Sequence, residues 1–180
     1  MKIVGISCHY HDAGAALLVD GQLIACAQEE RFTRKKHDPN YPKNAVAFVL
    51  EQAGIQSKEL DYVVFYDKPF LKFERIFKTI LQTYPRSAGV FREVVKSWFK
   101  DKLWIRGTIA SDLKISLDKV LFVEHHISHA ASAFLCSPFE KAAIITVDGV
   151  GEWATTTIGI GEGNTISLKQ QIHFPVPLSP

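Results

Sequence analysis

Long apolar runs are missing from this sequence. Nothing in it approaches the ~20 consecutive apolar residues of a membrane-spanning helix, so a helical membrane protein is excluded. Cysteine is scarce as well. Cys8, Cys26 and Cys136 have no metal-ligand spacing and lie in apolar stretches. That excludes a disulfide framework and a cysteine zinc site, and predicts buried free thiols in a reducing compartment. Charge of one sign is not in excess, with a net charge of +2, so the balance as a whole names no partner. The chain enters a strand pattern at Lys2 without a charged leader and apolar signal region, which makes the cytoplasm the expected compartment. The 180 residues, 47% hydrophobic and 22% charged, have the composition of a soluble globular domain with core enough to fold.

The region from His125 to Gly149 carries the strongest chemical signal. His125 and His129 are four residues apart, a spacing that stacks both rings on one face of a helix. Ala130 to Phe134 supports that helix, and Ser137-Pro138 should end it. An apolar run then ends in Asp148, the pattern of a buried strand delivering a carboxylate at its tip. Two imidazoles and one carboxylate leave coordination positions open, as a working Fe(II), Mn(II) or Zn(II) centre needs. The plain alternative is a helix N-terminus with solvated histidines and an Asp that begins a turn. The Asp148-Gly149-Val150-Gly151 turn favours the metal reading, and His126 lies off the shared face.

Earlier in the chain, Lys2 to Cys8, Ala15 to Val19 and Gln22 to Gln28 read as a three-stranded meander, with Asp20-Gly21 as a hairpin turn. Its first turn holds His9, His11 and Asp12, either solvated or facing a ligand. Residues 29–38 read as a solvated loop. Arg31, Arg34, Lys35 and Lys36 could equally fold over an anion. Nucleic acid is disfavoured, because one short basic cluster with only Phe32 interleaved is a weak footprint. Pro42 to Ala53 is an amphipathic helix capped by Gly54, and Leu60 to Tyr66 is a strand. From Phe70 to Trp104 the period is helical, broken into two helices at Tyr84-Pro85-Arg86, with an aromatic stripe read as core packing. Lys119 to Glu124 is a strand leading into the histidine helix. The meander then repeats: Ala143 to Asp148, Trp153 to Ile160, a turn at 161–164, and Thr165 to His173. The second copy ends at Phe174 to Pro180 with none of the helices that followed the first. An N-terminal piece of a longer protein is therefore expected.

This order resembles the actin, sugar kinase and heat-shock ATPase superfamily, an α/β ribonuclease H-like fold. Residues 1–141 would be the first subdomain, with a helical insertion at about 70–104, and 142–180 would open the second. In that fold the first turns of the two meanders hold the phosphates of a nucleotide. The resemblance thus implies cofactor-binding roles for Ser7, Asp12, Gly149 and Gly151, the glycines freeing backbone N–H groups for the anion.

A narrower resemblance rests on Gly5-Ile6-Ser7, His11-Asp12-Ala13-Gly14-Ala15-Ala16-Leu17, Glu29-Glu30-Arg31-Phe32-Thr33-Arg34-Lys35-Lys36-His37-Asp38, His125-His126-xx-His129-Ala130 and Thr146-Val147-Asp148-Gly149. These are similar to the N-terminal part of the O-carbamoyltransferases of the nodulation protein U and nebramycin carbamoyltransferase family. The resemblance implies a two-step enzyme. A C-terminal YrdC-like domain makes carbamoyl adenylate from carbamoyl phosphate and ATP, and the N-terminal part passes the carbamoyl group to a hydroxyl of a small-molecule acceptor. His125, His129 and Asp148 match the family's ligands for a divalent metal, usually iron, with a fourth carboxylate beyond residue 180. His11 matches the general base, with His9 two residues away as the open alternative, and Lys36 the position near the carbamoyl group, with Arg34 and Lys35 beside it. Alone, the chain is expected to be inactive in the overall reaction and to self-associate. A second reading is a metal-dependent nucleotide-binding module akin to the proteins of tRNA threonylcarbamoyladenosine biosynthesis. A non-haem iron oxygenase is disfavoured by the mixed α/β pattern.

Overall fold

The computed structural model describes residues 1–100, 102–149 and 151–173, so the expected helix-free ending at 174–180 lies outside the described residues. The chain forms two compact units. The first comprises Met1–Tyr66 and Phe99–Phe122, the second Asp67–Trp98 and Val123–Pro180.

In the first unit, strands β1 (Lys2–Ser7), β2 (Gly14–Val19) and β3 (Gln22–Gln28) form the antiparallel meander, and β4 (Tyr62–Phe65) and β5 (Val120–Phe122) extend it in parallel. The sheet order is β3-β2-β1-β4-β5. Asp20 and Gly21 both have positive φ, 51° and 81°, as a two-residue hairpin of this hand requires. The strands alternate, so Val4, Ile6, Ala15, Leu17, Val63 and Phe65 share a buried core. Helix α2 (Lys43–Gln52) adds Ala45, Val46 and Val49 to it, and α5 (Ile105–Leu113) adds Ile105, Ile109 and Leu113. Each fully buried Val, Leu or Ile is worth about 1.5–3 kcal/mol.

One expectation changes here. The basic stretch is not structureless: it contains a short helix, α1 (Glu30–Thr33). Glu29 just before it is buried, and its carboxylate accepts from the N–H of Asn44 (3.2 Å) and Ala45 (2.8 Å) and from Asn44 Nδ2 (2.6 Å). Pro42 at the N-cap of α2 has no side-chain acceptor, and Glu29 supplies one from across the fold. The region at 70–104 holds the two expected helices, α3 (Pro69–Gln82) and α4 (Ala88–Lys100), with the break between them, and α5 follows as a helix that the sequence reading left out.

The second unit contains α3, α4 up to Trp98, α6 (His125–Phe134) and a second meander, β6 (Lys141–Val147), β7 (Ala154–Glu162) and β8 (Thr165–His173). Its buried centre is small: Ala130 and Phe134 of α6 against Ile144, with Ala142 and Ile166 at the edge. A side chain at Gly161 would sit 2.5 Å from the Phe134 ring, so glycine is what lets α6 lie on β7. The aromatic stripe is only partly core. Trp98 is buried and Phe73 packs 5.9 Å from it, whereas Phe70 and Phe77 of the same helix are exposed. The cysteine expectation is corrected too. Cys8 is buried, its thiol pushed up to about 12 by that burial, but Cys26 and Cys136 are exposed. No helix among the described residues is long and apolar enough to cross a membrane.

Candidate metal centre

Helix α6 begins at His125, and His129 stands one turn further along the same face. The strand β6 runs out at Val147 and hands Asp148 to the turn beyond. His125 Nε2 lies 2.8 Å from Asp148 Oδ2 and 3.0 Å from His129 Nε2. All three ligand atoms fall within 4.8 Å of one another. Burial holds His125 below the usual imidazole range, so the ring is neutral and keeps a lone pair to offer. Burial also pushes the Asp148 carboxyl up, but the N–H of Gly149 on Oδ1 and the neighbouring His125 outweigh it and leave the group below its ordinary value. The set is thus two imidazole nitrogens and a carboxylate. Two ligand atoms about 2.1 Å from one ion and at right angles lie about 3 Å apart, which is the spacing found here. The residues present fit a divalent metal.

Three features fix this arrangement. His126 is buried behind the triad, its Nε2 2.8 Å from the Ala154 carbonyl and its Nδ1 2.5 Å from Thr146 Oγ1. A carbonyl only accepts, so Nε2 carries the proton and Thr146 donates to Nδ1. The Thr146 hydroxyl in turn pairs with Thr157 Oγ1 at 2.6 Å, pinning α6 to β6 and β7. Gly151 is closely packed: a side chain there would come within 3.0 Å of the His125 ring and 3.2 Å of the His126 ring, so both rings would have to give way to it. Glu152, buried, accepts from the Lys68 N–H at 2.6 Å and tethers the far end of the turn to the start of α3.

The expected anion cradle needs freed N–H groups. At this turn the N–H of Gly149 donates to Asp148 Oδ1 (2.7 Å) and that of Gly151 to the Ala154 carbonyl (3.2 Å). In this conformation both donors serve the turn itself.

His11, Asp12 and Lys36 belong to the first unit, with Ser7 closing β1 beside them in sequence. His11 is exposed, and its Nδ1 lies 2.7 Å from Asp12 Oδ2. The other carboxylate oxygen, Oδ1, lies 2.7 Å from His37 Nδ1. The two imidazoles, His37 first, hold the Asp12 carboxyl below its ordinary range. His9 differs from His11 in access: its Nε2 is shielded from solvent. Backbone bonds bind the first turn to the arm, from His9 N–H to the Pro39 carbonyl (2.7 Å) and from Ala13 N–H to that of Asp38 (2.9 Å). Arg34, Lys35 and Lys36 are all exposed beside them.

The sequence matches the family described as "Carbamoyltransferase N-terminus" over residues 2–179. The chain belongs to the carbamoyltransferase N-terminal family. It is 47% identical to an uncharacterized protein of Synechocystis sp. over 180 residues, which cover 96% of this chain and 29% of that protein. It is 34% identical to the nodulation protein NolNO of Sinorhizobium fredii, covering 92% of this chain and 23% of that protein. The chain thus spans under a third of the length of these relatives. Its fold resembles YeaZ from Pseudomonas aeruginosa, with a TM-score of 0.53 and 14% identity over 100% of this chain and 72% of that one, and it is the α/β, actin-like fold expected.

The residues that sequence reasoning passed over are His37, His126, Glu29 and Glu152. His126 and His37 sat inside quoted motifs but off the faces that the reasoning followed. Glu29 and Glu152 had no local signal, since their partners lie 15 and 84 positions away.

Proposed function

We propose that the chain is the transferring part of a cytoplasmic O-carbamoyltransferase, taking a carbamoyl group from carbamoyl adenylate to a hydroxyl of a small-molecule acceptor. The observation that carries the reading is the convergence of His125 Nε2, His129 Nε2 and Asp148 Oδ2 in a chain of this family. These three residues would hold a divalent metal, iron on the resemblance, which when bound withdraws charge from the phosphate of the adenylate and improves the leaving group. Carbamoyl phosphate and ATP would be turned into the adenylate by a YrdC-like domain of the same protein.

The chain's own residues supply the rest. His11 presents an exposed ring whose Nδ1 faces Asp12, so Nε2 can take the acceptor's proton as its oxygen attacks the carbamoyl carbon. The bond from that carbon to the adenylate oxygen breaks, and the electron pair leaves with AMP. Lys36 answers the negative charge that builds on the carbamoyl oxygen during attack. Binding of the adenylate phosphate at the 148–151 turn requires Gly149 and Gly151 to exchange their present acceptors for the anion.

The test is metal analysis and carbamoyl transfer with the complete gene product, supplied with ATP, carbamoyl phosphate and a panel of hydroxyl acceptors. Wild type should hold one metal per chain and carbamoylate an acceptor, and the His125→Ala, His129→Ala double variant should lose both. Metal-free wild type, or transfer at wild-type rate in the double variant, overturns the assignment. Binding to tRNA that weakens steeply with salt, without transfer, would turn the reading to the tRNA-modification relatives.

A further inference from the structure

Asp12 is engaged on both sides. Its Oδ2 faces His11 Nδ1 and its Oδ1 faces His37 Nδ1, each at 2.7 Å. An ionised carboxylate can only accept, so both Nδ1 atoms must carry protons. For a neutral imidazole that leaves Nε2 as the bare nitrogen on each ring, the opposite of the form that free histidine prefers in water. The contact between His11 and Asp12 joins adjacent residues and would not by itself fix the carboxylate, which can turn about its own bonds. A bond to the second oxygen stops that turn, and His37 provides it from 25 positions away.

The position of His37 is itself built. Its N–H donates to Glu30 Oε2 at 3.0 Å, on helix α1. Its backbone is left-handed at φ 55°, and that of Asp12 is left-handed at 52°. Non-glycine residues rarely adopt that region without a local reason, and Asp12 and His37, two of the six such residues among those described, are hydrogen-bonded to each other. The neighbouring backbone bonds, from Ala13 to Asp38 and from His9 to Pro39, hold the first turn and the arm in the register that brings the two side chains together.

We infer that His37 is a positioning residue: through Asp12 it holds His11 in the Nδ1–H form, so that Nε2 is free to accept a proton. The consequence for catalysis rests on His11 being the base of the proposed transfer reaction, whereas the hydrogen-bond relay stands apart from it. Asp12 is then the bridge of a His–Asp–His relay, and not a group left open for a nucleotide.

The test reads the ring nitrogens directly. Long-range 1H–15N NMR on the chain in chelator-treated buffer at about pH 8, above the ordinary imidazole value of about 6.5, separates the two neutral tautomers. Wild type should show His11 and His37 protonated on Nδ1. In His37→Ala the Nδ1–H share of His11 should fall toward that of free histidine. In His37→Gln, which keeps a side-chain N–H for Asp12, it should hold. Asp12→Asn should shift both rings. His11 protonated on Nε2 in wild type, or a His11 pattern indifferent to His37→Ala, overturns the inference, and the wild-type spectrum decides the matter even where a variant fails to fold. Transfer by the complete gene product separates this from the parent reading. A His11→Ala protein with wild-type transfer removes the base but leaves the tautomer result standing. A His11→Ala protein without transfer, beside an indifferent His37→Ala spectrum, keeps the base and removes His37.

Discussion

Glu152 occupies a buried space beside Asp67 and the Lys68 N–H, in the second unit. Burial pushes its carboxyl up to about 7, the Lys68 N–H opposes that, and the Asp67 charge adds to the rise. Between the ordinary carboxylate value of about 4.3 and about 7, the folded chain holds a proton that the unfolded chain releases. Stability contributed by this group is therefore full below the lower value and falls as pH rises through the window. Glu152→Gln keeps the shape and cannot ionise. At pH 8 it should be more stable than wild type by about 1–2 kcal/mol, after discounting for solvent screening, and at acid pH near the lower value the two should be equal. Urea unfolding at both pH values checks this, and equal stability at pH 8 would show that Glu152 ionises freely. The contrast with His125, His129 and Asp148 shows what a sequence can reveal at this scale. Those three were legible because a four-residue helical spacing and a strand end are local patterns. Glu152, Asp67 and His37 act through partners brought close only by the fold, and no spacing announces them.

Helix α2 depends on a side chain outside itself. Its first N–H groups need acceptors, Pro42 has none to give, and Glu29 serves both Asn44 and Ala45. Glu29→Ala leaves the buried Ala45 N–H without its acceptor and should cost about 1–3 kcal/mol. Glu51→Ala, at the exposed far end of the same helix, should stay within about 0.5 kcal/mol of wild type. Denaturant unfolding of the two variants side by side tests this, and an equal cost for both would assign the loss to helix propensity instead of the cap. Most elements were legible from period alone. The strands of both meanders, α2 and α6 fell within a few residues of their expected places, since alternation and the 3.6-residue period are set by which face is buried. Helix α5 was missed. Ile105, Ile109 and Leu113 have the spacing, but Gly107, Thr108 and Ser111 lie between them and weaken a propensity argument. Packing against the first unit's sheet decides that helix.

Each unit carries a meander, but the two sheets bury their apolar residues differently. In β1 and β2 the inward positions fill a core of many residues. In β6 the inward positions are Ile144 and Thr146, while the outward ones, Ile145 and Val147, are 68% and 75% exposed. Ile145 pairs with Ile158 of β7, and Ile160 lies further along that strand, both exposed. These residues form one apolar face, since alternate positions share a side and paired residues are neighbours across it. Full burial of an Ile or Val is worth about 1.5–3 kcal/mol, and covering the exposed part of these four on both of two meeting copies supplies the drive for association. The isolated chain should associate in solution through this face. Sedimentation of wild type should show a concentration-dependent increase in mass, and Ile145→Lys with Val147→Lys should leave a single monomeric species with an unchanged circular dichroism spectrum. A double variant that still associates would move the contact to another surface, such as the exposed aromatics Phe70 and Phe77 of α3. Substituting those two residues would then be the change that restores the monomer.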